Sequence, residues 1–200
     1  MADHWEFQNQ LSHLRKIILD GVSYFIVCQM LDIEFGKSIS NLGPSKGLWW
    51  QFRGFFAPTR NALLWSALLQ LSKAYDTDPR TVSLNNLIVN ARNNPSELAP
   101  YGTQDSLEEI QARIAKNREI LLKLRQYRNK RLAHYDSTQM EDIKIPIYQI
   151  EQLVVETKAI FNSLKYACEG DFDDFDLYME NVSLHTSQVI DIMSHSEKPG

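Results

Sequence analysis

The chain has 200 residues, 44% of them hydrophobic and 23% charged, with a formal net charge of -4. That is ordinary globular composition, long enough for one compact domain with a substantial core. Eight glycines and seven prolines are few for a sandwich or barrel built on tight turns. Cys28 and Cys168 stand alone without a C-x-x-C pair, which argues against a disulfide scaffold or a thiolate metal site. The opening "MADHWEFQNQ" lacks the basic segment and apolar core of a secretion signal. The greasiest stretch, "IILDGVSYFIVCQMLDIEF", is broken by Asp20, Gln29, Asp32 and Glu34 and is too polar to span a bilayer. A reduced, cytoplasmic protein without membrane contact is the expectation.

Apolar spacing is helical nearly throughout. Phe7, Leu11, Leu14, Ile18, Val22, Phe25 and Cys28 step by three and four and predict one long first helix. "ISNLGPSKG" is a turn signal. A second helical region runs from about Leu48 to Tyr75. It opens on Trp49, Trp50, Phe52, Phe55 and Phe56, is expected to be interrupted near Pro58, and resumes through Leu64, Leu68 and Leu71. The aromatic cluster at this spacing reads as core or as a dimer surface rather than a base-stacking platform. "YDTDPRTVSLNNLIVNAR" reads as a corner followed by a short helix, with Asp78 before Pro79 as one N-cap and Ser83 as another.

"NNPSELAPYGT" reads as a loop. A third major helix is expected from Asp105 or Ser106, where Ser106 and Glu109 have capping-box spacing, with Leu107, Ile110, Ile114, Leu121 and Leu124 inward. After the linker "DSTQMEDIKI", Pro146 starts a fourth helix with Ile147, Ile150, Val154, Phe161, Leu164 and Cys168 inward. A last helix is expected over Phe172 to Met193. The whole predicts an all-α, up-and-down bundle of four to five main helices, a single domain over residues 1–195 with a disordered tail at 196–200.

Charge is unevenly spread. From Arg113 to Arg131 eight cations face the single Glu119, a local +7 that leaves -11 elsewhere, while Glu169 to Glu180 holds six acids and no base. Global acidity argues against broad nucleic-acid coating, yet a basic stripe can hold a few phosphates. The acidic segment could cover that stripe in cis, or the stripe could be a solvated helix face.

The stripe ends in "YRNKRLAHYD", Tyr127 to Asp136. One reading is a finished helix end, since cations in a last turn interact with the dipole by about 0.3–1 kcal/mol each. The other is a phosphate-handling site. An imidazole with a pKa near 6.5 can take a proton from a 2′-hydroxyl or give one to a 5′-oxygen at neutral pH. A guanidinium holds the negative charge that gathers on a phosphorane-like transition state. On an unbroken helix each residue turns about 100°, so Arg128 and His134 point apart while Arg131 shares the histidine's face. Three arrangements stay open: the helix unwinds near Leu132 to Ala133, Arg131 is the local partner, or Arg128 acts toward the histidine of a second copy.

"RNKRLAH", with Arg128, Asn129 and His134, resembles the signature of the HEPN superfamily, in which an arginine, often followed by a polar residue, precedes a histidine with four to six residues between them; here five intervene. "FFAPTRNALLWSALLQLSKAYDTDPRTVSLNNLI", Phe55 to Ile88, resembles the abortive-infection, AbiU-type branch, with its Lys-x-x-Asp-x-Asp corner and Ser-Leu helix start. The resemblance implies a HEPN-like helical fold, a homodimer with both chains' Arg and His at the interface, and metal-independent endoribonuclease activity in phage defence or as a toxin. Arg128 would then stabilise the scissile phosphate, Asn129 orient it and His134 act as acid or base. Lys130, Arg131, Arg125, Tyr135 and Asp136 would contact the RNA substrate. An antitoxin or nucleotidyltransferase partner is a further implication, although the tyrosine such a partner modifies usually stands one residue farther from the histidine than Tyr135 does. Asp136 equally suits a turn-forming role.

No cofactor is expected. Asp78 before Pro79 reads as a cap rather than half of a metal pair with Asp76, "DFDDFD" lacks the Gly and Glu of an EF-hand, and the other histidines form no ligand pattern. The competing class is a catalytically inactive HEPN module that binds nucleotide or RNA, or dimerises, without cutting.

Overall fold

The computed structural model describes residues 4–40, 52–133 and 145–195. Among these are eight α-helices and no strand, so the all-α expectation holds. They are α1 (His4–Ser40), α2 (Arg53–Ala74), α3 (Leu84–Asn93), α4 (Pro95–Leu98), α5 (Gln104–Lys116), α6 (Arg118–Ala133), α7 (Ile147–Glu169) and α8 (Phe175–His195). None of them is long and apolar enough to cross a membrane. By contact the chain groups into two compact units, Met1–Asp20 with Leu68–Asp173 and Gly21–Ala67 with Asp174–Gly200.

In the first unit α5 packs on α7 and on α3. The period of 3.6 explains why: Leu107, Ile110 and Ile114 on α5, and Ile150, Leu153, Val154, Ile160, Phe161 and Leu164 on α7, are all buried. Phe7, Leu11, Leu14 and Ile18 of α1 are buried as their spacing predicts. Ile147, expected inward, is instead 41% exposed, because it lies in the open first turn behind Pro146. α7 stops at Gly170, whose φ of 71° is the left-handed conformation that glycine adopts without strain.

In the second unit Leu31, Phe56 and Ile190 form a small core with Phe35, Phe52, Leu63 and Met193. Phe56 meets Phe52 and Phe55 edge-on at 6.5 and 5.4 Å. Phe56 thus has the core role given to the aromatic cluster, while Phe55 is 54% exposed. Trp49 and Trp50 lie outside the described residues. Arg60 grips both oxygens of Asp32 at 2.8 and 2.9 Å.

Four local expectations need correction. Pro58 does not interrupt the second helix, which runs from Arg53 to Ala74 with the proline inside it; this close to the N-terminus, its missing N–H removes a single bond. "NNPSELAPYGT" contains one helical turn, α4, with Pro95 in the first position. The third helix starts at Gln104, capped by Thr103, whose side chain accepts from the Ser106 N–H at 3.1 Å while Ser106 Oγ accepts from the Thr103 N–H at 2.9 Å. It also ends early: Asn117 separates α5 from α6 and donates its Nδ2 to the Arg113 carbonyl at 3.0 Å, so the basic stripe is divided between two helices.

Candidate functional site

The site begins at the corner where α2 ends. Tyr75 is buried and shares a 2.9 Å hydrogen bond with Thr157 of α7, whose hydroxyl donates to the Leu153 carbonyl at 2.6 Å. Burial pushes the Tyr75 phenol above its ordinary range, so it stays neutral. With the ring pinned, the chain turns through Asp76, Thr77 and Asp78.

Backbone carbonyls in such a corner have no helical partners, and two asparagines of α3 supply them. Asn85 Nδ2 donates to the Tyr75 and Asp76 carbonyls at 3.0 and 3.4 Å. Asn86 Nδ2 donates to Asp78 and Thr81, both at 2.7 Å. Ser83 caps α3 by accepting from the Asn86 N–H. Asp78 does not cap a helix. Its Oδ1 accepts from the Arg80 N–H at 3.0 Å, an Asx turn, and its carboxylate pairs with the Arg80 guanidinium.

Asp76 is the residue this corner presents. Its Oδ1 accepts from the N–H groups of Thr77 and Asp78 at 2.7 and 3.2 Å, and its Oδ2 accepts from Arg128 Nη1 at 2.6 Å. Only 18% of the Asp76 side chain and 19% of the Arg128 side chain are exposed. Burial alone would raise the carboxyl pKa, but the Asp78 amide and the Arg128 guanidinium outweigh it and hold the group below the ordinary carboxylate range. Arg128 Nε donates to Asn129 Oδ1 at 3.5 Å, and among the described residues Nη2 has no acceptor.

This pair lies at a cavity of about 250 Å³. Ser72, Tyr75, Asp76, Thr77 and Asn85 line one side. Ile114, Ala115, Arg118, Leu121, Leu122, Leu124, Arg125 and Arg128 line the other. Arg118, Leu121, Leu122, Arg125 and Arg128 follow helical spacing, so one face of α6 carries both apolar wall and cations.

Of the residues singled out from sequence, Arg128, Arg125, Asn129 and Lys130 lie on α6, and Arg125 and Arg128 share the cavity. α6 remains helical through Leu132 and Ala133, so no unwinding is found there. Arg131 is in the helix, but its side chain is outside the described part, as are His134, Tyr135 and Asp136 altogether. The acidic segment turns elsewhere. Lys165 draws Asp171 to 3.1 Å and Glu169 to 3.6 Å, and Arg15 takes Asp173 at 2.7 Å. The stripe's Arg113, Lys123 and Arg128 pair with Glu156, Glu119 and Asp76. Sequence reasoning missed Asp76, Asn85 and Asn86. Their signal was present in the Asp-x-Asp corner and the doubled Asn after a capping Ser, residue types that satisfy turn backbones. Among the described residues no three His, Cys, Asp or Glu side chains come together as a metal site.

The helices and the absence of strands among the described residues agree with a HEPN-like fold. The family model HEPN_AbiU2, described as AbiU2, matches residues 6–186. The chain belongs to this abortive-infection-related family of HEPN proteins. No curated protein and no solved structure matches it.

Proposed function

We propose that the chain is a metal-independent endoribonuclease of the HEPN type, acting in phage defence or as a toxin, with a site completed by a second copy. The carrying observation is the half-buried Arg128 guanidinium, clamped at one nitrogen by Asp76 and open at another, beside a cationic cavity. A pre-oriented guanidinium stabilises a pentavalent phosphate without reorganising when charge develops. In this reading the 2′-oxygen attacks phosphorus as His134 takes its proton. The bond from phosphorus to the 5′-oxygen breaks, and that oxygen collects a proton. The products are a 2′,3′-cyclic phosphate and a 5′-hydroxyl. Asn129 orients the phosphate, while Arg125, Lys130 and Arg131 hold its neighbours. Pairing of copies is supported by apolar residues left exposed on α8, Leu184, Val189 and Ile192.

A second reading is a binding module that does not cut. It is favoured by the same 2.6 Å contact, since Asp76 competes with a phosphate for Arg128. RNA incubated in EDTA with wild type, Arg128→Ala and His134→Ala separates the two. Cleavage by wild type alone supports the nuclease. Equal cleavage by all three ends it, and salt-sensitive binding with no product supports the silent module.

A further inference from the structure

Ser72 is 5% exposed, lines the cavity, and its hydroxyl makes no hydrogen bond with any described residue. The Ser72 oxygen is not one of the fully buried unpartnered atoms, so it stays reachable from the cavity and can be satisfied there by a ligand or water. Across the same cavity, the Asn85 amide is oriented by the two carbonyls that its Nδ2 serves, which leaves Oδ1 as a free acceptor. Tyr75, Ile114, Leu121 and Leu124 supply apolar wall. At its edge Arg118 and Arg125, seven residues apart on α6, make no ion pair among the described residues.

These features belong together chemically. A flat group with a polar edge fits apolar walls that end in a hydroxyl and an amide oxygen, and an anion fits two unpaired guanidinium groups. A volume of about 250 Å³ is below the ~300–1,000 Å³ of sites for drug-sized ligands, which limits the guest to about one ring system. We propose that this cavity binds one nucleotide unit, with its base unstacked between the α2 corner and α6, its edge read by Ser72 and Asn85, and its phosphate on Arg118 and Arg125. Because Arg128 borders the cavity, the nucleotide is assigned to the RNA strand next to the phosphate that Arg128 holds. That assignment rests on the ribonuclease reading, whereas the cavity's preference for a nucleotide does not. The site would then select which base flanks the cut.

The full-length protein is titrated calorimetrically with 5′-AMP, 5′-CMP, 5′-GMP, 5′-UMP and inorganic phosphate, and separately with a short single-stranded RNA. At least one nucleotide is expected to bind roughly tenfold or more tighter than phosphate, because the base adds contacts. Arg118→Gln and Arg125→Gln should each weaken it by roughly tenfold, the scale of a lost charge-assisted contact. Both side chains are exposed, so these variants keep the fold, and Ser72→Ala removes the buried hydroxyl alone and should weaken binding several-fold. Competition between nucleotide and RNA supports the strand assignment. Simultaneous binding of both supports the nucleotide site but makes a free nucleotide its guest. Nucleotides no tighter than phosphate, or variants that bind like wild type, overturn the proposal. Cleavage that depends on His134 is scored in parallel: its persistence without nucleotide binding sinks only the cavity proposal, and its absence with binding sinks only the nuclease.

Discussion

At the scale of single residues, Asp76 decides most. It is tied to two backbone N–H groups and to Arg128, a residue 52 positions away. No pattern in the sequence links such a pair, because the contact is made where the corner after α2 meets α6 and not by any period. Removing the carboxylate leaves a half-buried guanidinium without its counter-charge, so Asp76→Ala should cost about 1–3 kcal/mol in urea denaturation. The pH dependence has a definite sign. The folded carboxyl is depressed, so its contribution is present above the unfolded pKa of about 3.9 and is lost as pH falls through the lower folded value. The stability gap between wild type and Asp76→Asn should therefore be widest near neutral pH and shrink below about pH 4; a gap that is flat with pH would contradict the ion pair. The cysteines are the opposite case, legible at once. Both are free and buried, and burial pushes Cys28 up to about 11 and Cys168 up to about 12. Native protein should resist a thiol-reactive probe at pH 8, and denatured protein should react at both sites.

At the scale of elements, long periodic helices were readable and their ends were not. α1 and α7 were legible because their buried positions repeat over many turns, which no short-range signal can reverse. The break at Asn117 was invisible because asparagine is a modest helix former, not a breaker, and the apolar register resumes at Leu121 and Leu124. The capping box of α5 was misplaced by three residues because Ser106 takes the role usually given to glutamate in it. Thr103→Ala should cost about 1 kcal/mol of stability. The turn before it is constrained more tightly: a Cβ on Gly102 would lie 2.7 Å from the Ala167 Cβ, a contact that no rotamer can relieve. Gly102→Ala should therefore destabilise by about 1–3 kcal/mol, as over-packed sites do, with thermal unfolding as the readout. A melting temperature at or above wild type would show that α5 and α7 yield there.

At the scale of the whole molecule, charge sets how any nucleic acid can be held. A chain of net charge -4 cannot gather RNA by diffuse attraction, so binding has to come from the few cations that other side chains leave open. Within the +7 stretch, Arg113 and Lys123 are paired, and Lys116 borders a different hollow with Glu151 and Glu156. Arg118, Arg125 and Arg128 remain at the cavity, and Lys130 and Arg131 follow them on α6. Single-stranded nucleic acid releases counterions in proportion to the phosphates contacted, with a slope of about -0.7 per phosphate in a plot of log affinity against log salt. Five contacts, from Arg118, Arg125, Arg128, Lys130 and Arg131, predict a slope of about -3.5, whereas a stripe that used all eight cations would approach about -5.6. Fluorescence anisotropy of a short single-stranded RNA across a salt series separates these values. The Arg118→Gln, Arg125→Gln double variant should flatten the slope to about -2, the share of Arg128, Lys130 and Arg131. A wild-type slope of about -5.6, unmoved by the double variant, would mean that RNA follows the solvated outer face of α5 and α6 and leaves the cavity empty.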